Sequence, residues 1–94
     1  RKLARMNAGP TALIADDEPL LREHLAALLQ RLWPELRVVA TARNGREAIA
    51  SARSAPPDLL LIDMHLGDMT GLDVLAALRD EPALAGVARV ALSA

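Results

Sequence analysis

Residues 59–71 decide the fold and read Leu-Leu-Leu-Ile-Asp-Met-His-Leu-Gly-Asp-Met-Thr-Gly. An unbroken aliphatic run ends in a carboxylate, Asp63, and is followed by a loop that contains Gly67 and Gly71. The run is too short to cross a membrane and is typical of a strand buried on both faces, as in a parallel sheet. Because open α/β folds bind ligands at the carboxyl ends of their strands, Asp63 is predicted at a ligand-binding edge.

The rest of the chain alternates between short apolar runs and helical patterns. These patterns predict strands over residues 11–15, 37–42, 58–63 and 87–93, and helices over residues 20–32, 46–53 and 70–79. The order βαβαβαβ predicts an α/β fold, a doubly wound parallel sheet with right-handed crossovers and helices on both faces.

The helix starts and apolar faces are predicted as well. Asp17 suits the N-cap of the first helix, and Pro19 suits its first turn. The expected apolar stripe of that helix consists of Leu21, Leu25, Leu28, Leu29 and Leu32. The expected apolar face of the third helix consists of Leu72, Leu75, Ala76 and Leu78.

Composition bounds the class of protein. The 94 residues allow one small domain, and their net charge of −1 is spread without a basic stripe. We therefore expect no direct nucleic-acid binding by this segment and no membrane association. The lack of cysteine excludes disulfides and thiolate chemistry, and suits a reducing cytoplasm.

The first ten residues show no period, and Gly9-Pro10 breaks regular structure. We expect residues 1–10 to be a disordered tail or an expression remnant, and residues 11–94 to form the domain.

Three carboxylates are predicted to meet at one edge of the sheet. If the first and third strands are neighbours, Asp16 and Asp17 lie close to Asp63. Taken separately, the Asp pair suits a helix cap and Asp63 suits a turn. Together they repel one another by on the order of several kcal/mol unless they are protonated or neutralised. Oxygen-only ligands favour Mg²⁺, and a carboxylate beside Mg²⁺ is suited to phosphoryl transfer.

Three motifs resemble the receiver domain of two-component response regulators. They are Ala-Asp-Asp-Glu-Pro at residues 15–19, the stretch at residues 63–71 and Leu-Ser-Ala at residues 92–94. The resemblance implies a flavodoxin-like fold. It also implies that Asp63 is the phosphoacceptor, which takes a phosphoryl group from a histidine kinase or phosphotransfer protein.

The resemblance assigns the other site residues too. It implies that Asp16, Asp17, Asp63 and the backbone carbonyl of His65 hold Mg²⁺. It also implies that Ser93 is the switch hydroxyl. The domain would catalyse only its own phosphorylation and dephosphorylation, and is not otherwise expected to be an enzyme.

Two departures from the family pattern stand out. Gly67 replaces a common proline, which frees the loop. The family domain also continues into a fourth helix, a fifth strand with an active-site lysine and a fifth helix, whereas this sequence stops at Ala94 and its only lysine is Lys2. We therefore expect a domain that is incomplete at its C-terminus, apparently truncated after the fourth strand. The exposed edge strand would permit a homodimer or a segment-swapped dimer.

Alternatives stay open at this point. One is a receiver-like protein-interaction module that is not phosphorylated. Another is a Mg²⁺-dependent phosphohydrolase, disfavoured because His65 stands where such enzymes usually carry a second acid. For the output, residues 17–33 resemble regulators with LytTR-type DNA-binding domains, whereas residues 92–94 also suit receivers fused to sensor kinases.

Overall fold

The structure, a computed structural model, describes residues 9–92. Strands and helices alternate through this part of the chain, as predicted. The strands are β1 (Thr11–Ala15), β2 (Arg37–Ala42), β3 (Leu59–Asp63) and β4 (Ala88–Leu92). The helices are α1 (Pro19–Leu32), α2 (Gly45–Ser54) and α3 (Gly71–Leu78), with a 3₁₀ turn at Pro82–Leu84.

The sheet that these described strands form is parallel and has the order β2-β1-β3-β4. β1 is therefore flanked by β2 and β3, which confirms the predicted neighbourhood of the first and third strands. After β1 the chain forms β2 on one side of β1, and it then crosses to form β3 on the other side. The doubly wound, flavodoxin-like prediction is correct, and the space between β1 and β3 is the switch point where such sheets bind ligands.

The main core lies between the sheet and the pair α2 and α3. Alternate residues of β1 and β3 face this layer, which follows from the two-residue repeat of a strand. The buried side chains of this core are small or aliphatic: Leu13, Ala15, Ala42, Ala48, Ala52, Leu60, Ile62, Leu66, Val74, Leu78 and Leu84. This packing fixes the ends of β1 and β3 relative to each other.

Helix α1 covers the opposite face of the sheet, where Ile14 of β1 is buried. The helix is amphipathic as predicted, but the predicted leucine stripe is only partly correct. Leu25 and Leu29 are half-buried, whereas Leu21 and Leu28 remain 44% and 45% exposed. Arg22 and Ala26 are half-buried beside Leu25 and Leu29. The helix is therefore rotated on the sheet, which leaves Leu21 and Leu28 at the exposed side of the stripe. Leu32 belongs to that exposed group as well.

The start of α1 also differs from the prediction. Glu18, not Asp17, is the N-cap residue, and it makes no side-chain capping bond. The carboxylate of Asp16 accepts the backbone N–H of Glu18 at 2.9 Å, so the chain turns before it enters the helix. Pro19 occupies the first turn, as predicted.

Helix α3 begins with a capping box. The Thr70 hydroxyl accepts the N–H of Asp73, and the Asp73 carboxylate accepts the N–H of Thr70. The predicted apolar face is partly wrong, because Leu72 is 60% exposed whereas Val74 and Leu78 are buried. Gly71, in the first turn of α3, is buried on the same side as Val74 and Leu78.

None of the helices within residues 9–92 combines the length and the apolar character needed to cross a membrane.

Candidate functional site

Two buried carboxylates lie side by side at the carboxyl edge of the sheet. Ala15 of β1 pairs in register with Ile62 of β3, so the next residue along each strand is an aspartate. Asp16 and Asp63 are only 4% and 5% exposed. The predicted neighbours therefore meet, and aliphatic packing on both faces of the sheet keeps them there.

Asp17 adds a third carboxylate from the solvent side. One oxygen of each of the three side chains lies within 4.8 Å of the others, and Asp17 is exposed. Among residues 9–92, no arginine or histidine forms an ion pair with any of the three. An unneutralised cluster of oxygen donors with one open side fits a hard divalent cation such as Mg²⁺.

His65 lies in the loop between β3 and α3. Two backbone bonds, Leu66 N–H to Met69 C=O at 3.1 Å and Gly71 N–H to Met64 C=O at 2.8 Å, flank an antiparallel pair of His65 and Thr70.

In such a pair the N–H and C=O of His65 point away from its partner, so its carbonyl is available to a ligand. The N–H of His65 donates to Oδ1 of Asp63 at 3.4 Å, which places that edge of His65 beside the carboxylate. The His65 side chain is exposed. Among the described residues, the hydrogen bond between His65 and the acidic cluster comes from the backbone N–H and not from the imidazole.

Gly71 allows the loop to return close to β3. A Cβ at this position would lie 2.6 Å from the carbonyl oxygen of Asp63 and 3.2 Å from the Cα of Met64. The backbone of the third helix therefore begins against the phosphoacceptor candidate itself. Gly67, at the tip of the loop, has φ +84°, so glycine suits this position for conformational reasons.

Asp68 is a functional candidate that sequence reasoning missed. Its carboxylate accepts the backbone N–H groups of Gly45 at 2.8 Å and Arg46 at 3.0 Å, at the start of α2. These N–H groups hold the pKa of the Asp68 carboxyl below its ordinary value. Its only signal in the sequence is weak, an acid next to Gly67, because its partners lie 22 and 23 residues earlier in the chain.

Arg22 also reaches the site. Its guanidinium donates to the backbone carbonyl of Asp16 at 2.7 Å, one helical turn beyond the acidic pair. Arg22 lies outside the leucine stripe that the sequence predicts for α1. The bond braces the turn that carries Asp16 and Asp17.

Met69 is half-buried and packs against the main core. Ser93, the predicted switch hydroxyl, lies outside the described residues.

Comparison with known proteins identifies the family. A sequence profile of the response regulator receiver domain matches residues 12–94. The chain belongs to this family. The receiver domain is 44% identical over 77 residues to an uncharacterised response regulatory protein of Vibrio cholerae, covering 82% of this chain and 30% of that protein. It is 41% identical over 71 residues to the nitrate/nitrite response regulator protein NarL of Escherichia coli, covering 76% of this chain and 32% of NarL.

Solved structures agree with this assignment. A LuxR-family two-component response regulator from Aurantimonas superposes with a TM-score of 0.81 and 25% identity, over 90% of this chain and 59% of the other. The receiver domain of the putative response regulator NarL from Mycobacterium tuberculosis gives a TM-score of 0.78 and 27% identity, over 90% of this chain and 66% of the other. The receiver domain spans about a third of the length of the curated relatives named above.

Proposed function

We propose that this receiver domain accepts a phosphoryl group on Asp63 with the help of Mg²⁺. The observation that carries the proposal is the position of Asp63, a buried carboxylate at the end of a central strand with Asp16 and Asp17 within 4.8 Å. The open side of this cluster is bounded by exposed Asp17 and by the loop of His65, which leaves an approach for a phosphoryl donor.

The carboxylates and one carbonyl would hold the cation. Asp16, Asp17, Asp63 and the backbone C=O of His65 are the donors, and water and phosphoryl oxygens would complete the shell. Bound there, Mg²⁺ supplies positive charge that offsets the carboxylates and the transferring group.

The residues of the chain perform the transfer itself. A carboxylate oxygen of Asp63 attacks phosphorus, a new O–P bond forms and the P–N bond of a phosphohistidine breaks, so that the imidazole leaves with the electron pair. The product is an acyl phosphate on Asp63. The N–H of His65, which donates to Oδ1 in the structure, orients the carboxylate so that its other oxygen can attack.

The expected donor is a histidine kinase or a phosphotransfer protein. Membership of the receiver family supports this expectation. Among the described residues, the buried acids are Asp16 and Asp63, so no further buried acid or base is present to serve a phosphohydrolase. We also propose that the domain catalyses only its own phosphorylation and dephosphorylation. A cytoplasmic location is consistent with such a donor and with a cysteine-free sequence.

Acetyl phosphate labelling tests the proposal. The full chain is incubated with acetyl phosphate and Mg²⁺, and intact mass reports the added phosphoryl group. Wild type should be labelled and Asp63→Asn should not be. Asp80→Asn removes an exposed carboxylate that pairs with exposed Arg79, and serves as the matched control that keeps labelling.

Two results would count against the proposal. Unchanged labelling of Asp63→Asn would remove Asp63 as the nucleophile. A wild-type chain that is neither labelled nor able to bind Mg²⁺ at millimolar concentration would favour the interaction module that is not phosphorylated.

A further inference from the structure

Asp68 connects the loop after β3 to the first turn of α2. Both carboxylate oxygens are used, Oδ1 by the N–H of Gly45 at 2.8 Å and Oδ2 by the N–H of Arg46 at 3.0 Å. An ionised carboxylate that accepts two N–H groups at a helix start makes a stronger contact than neutral hydrogen-bonding groups would. The tip of the loop is thus bound to an element outside the acidic cluster.

Close packing reinforces this contact. Met69 lies directly against Gly45, where an added Cβ would come within 2.6 Å of the Met69 sulfur. Neighbouring residues of the loop therefore meet α2 by two different means, a pair of hydrogen bonds and an apolar contact. This arrangement defines the distance between the loop and the helix.

The position of Asp68 and Met69 is linked to that of His65 through the loop backbone. The bond from Leu66 N–H to Met69 C=O ties the outgoing and returning halves of the loop together. A shift of residues 68 and 69 therefore moves residues 65 and 66 with it. The carbonyl that would bind the cation belongs to His65, on the outgoing half.

We propose that Asp68 is a positioning residue, which holds the loop on α2 and thereby fixes the His65 carbonyl beside Asp63. The inference rests on the proposed function, because it concerns the same cation site. Asp68 itself touches neither the cation nor the reacting atoms.

The alternative is that Asp68 only caps α2. That helix already has a cap, since the Asn44 side chain accepts the N–H of Glu47 at 2.8 Å. Asn44→Ala therefore weakens the same helix end without breaking the bonds between Asp68 and α2. It is a matched control for Asp68→Ala.

The test measures Mg²⁺ affinity and amide exchange on the full chain. Isothermal titration calorimetry gives the Kd for Mg²⁺, which should rise on the order of tenfold in Asp68→Ala, the scale seen when the supports of metal ligands are removed. Asn44→Ala should stay within about twofold of wild type. Asp68→Asn retains one acceptor oxygen and should give an intermediate Kd.

Hydrogen exchange of the Leu66 and Gly71 amides, followed by NMR without metal, tests the loop itself. Exchange at both amides should become faster in Asp68→Ala and remain unchanged in Asn44→Ala. The proposal is overturned by wild-type values in Asp68→Ala, or by equal effects of the two variants. Failure of wild type to bind Mg²⁺ would instead overturn the proposed function, and the exchange rates would still decide whether Asp68 holds the loop.

Discussion

Asp16 and Asp63 extend two parallel strands whose last paired residues, Ala15 and Ile62, are in register. The sheet therefore forces two carboxylates to the same level of one edge, and both are almost fully buried. Their repulsion opposes folding, so the native structure keeps them together only because the strands before them are packed on both faces. Any group that neutralises this edge should raise stability.

Asp63→Asn should increase the free energy of unfolding when divalent cations are removed with EDTA. The amide is uncharged and its oxygen can still accept the His65 N–H, so repulsion decreases without loss of that bond. The expected gain is on the order of 1 kcal/mol, measured by urea denaturation. Asp80→Asn, at an exposed surface pair, should change little. A less stable Asp63→Asn would contradict the repulsion argument.

Mg²⁺ should stabilise wild type in a concentration-dependent manner. A ligand that binds only the native state adds about 2.7 kcal/mol at a concentration one hundred times its Kd. Asp16→Asn and Asp63→Asn should lose this gain, and Asp17→Asn should need more Mg²⁺ to reach it. Thermal unfolding against MgCl₂ measures the effect, with NaCl at matched ionic strength as the control for screening. An equal gain in NaCl would rule out a specific site.

Gly71→Ala should destabilise the domain and weaken Mg²⁺ binding. The new Cβ would meet the carbonyl oxygen of Asp63 at 2.6 Å, so the backbone at the site has to move. A loss of about 1–3 kcal/mol is expected from overpacking of this kind. Gly86→Ala is the control, since a Cβ there has no neighbour within 4 Å. Similar unfolding midpoints for the two variants would show that the backbone at Gly71 can shift without lowering the free energy of unfolding.

Acid should reduce stability through Asp68 and Glu47. The N–H groups of Gly45 and Arg46 hold the pKa of Asp68 below its ordinary value of 3.8. The backbone N–H and the guanidinium of Arg43 hold the pKa of Glu47 below its ordinary value of 4.5.

A carboxyl whose pKa is lowered by folding contributes stability above its unfolded pKa and loses it as the pH falls through its folded pKa. The stability that these two carboxyls contribute should therefore decline from about pH 5 downwards, and Asp68→Asn should lack the Asp68 share of that decline. Urea midpoints at several pH values measure this. Parallel profiles for the two proteins would show that Asp68 does not contribute.

Local patterns in the sequence predicted most of the fold. The aliphatic run before Asp63 placed a strand correctly, and Pro19 lies in the first turn of α1 as predicted, because burial on both faces and the fixed φ of proline act on neighbouring residues. The meeting of Asp63 with the acidic pair followed from the strand order that such alternation favours. These parts of the site depend on the topology alone.

Other details depend on contacts that no local pattern contains. The exposure of Leu72 and Leu28 is set by how each helix is rotated on the sheet, which the positions of leucines did not determine. The N-cap of α1 is Glu18 and not the predicted Asp17, because the Asp16 carboxylate accepts the backbone N–H of Glu18 and turns the chain before the helix. The Asp68 contact joins segments 22 residues apart and became visible only in three dimensions.

The strand order also determines when the carboxylate cluster can form during synthesis. Thr11 and Asp58, at the near ends of β1 and β3, are hydrogen-bonded although they are 47 positions apart. A nascent chain that has emerged only as far as α2 already carries Asp16 and Asp17 but has no third strand to complete the edge. The cluster of three carboxylates therefore forms only when β3 inserts beside β1, so that cation binding at the proposed site would report completion of the central sheet and not the presence of its parts.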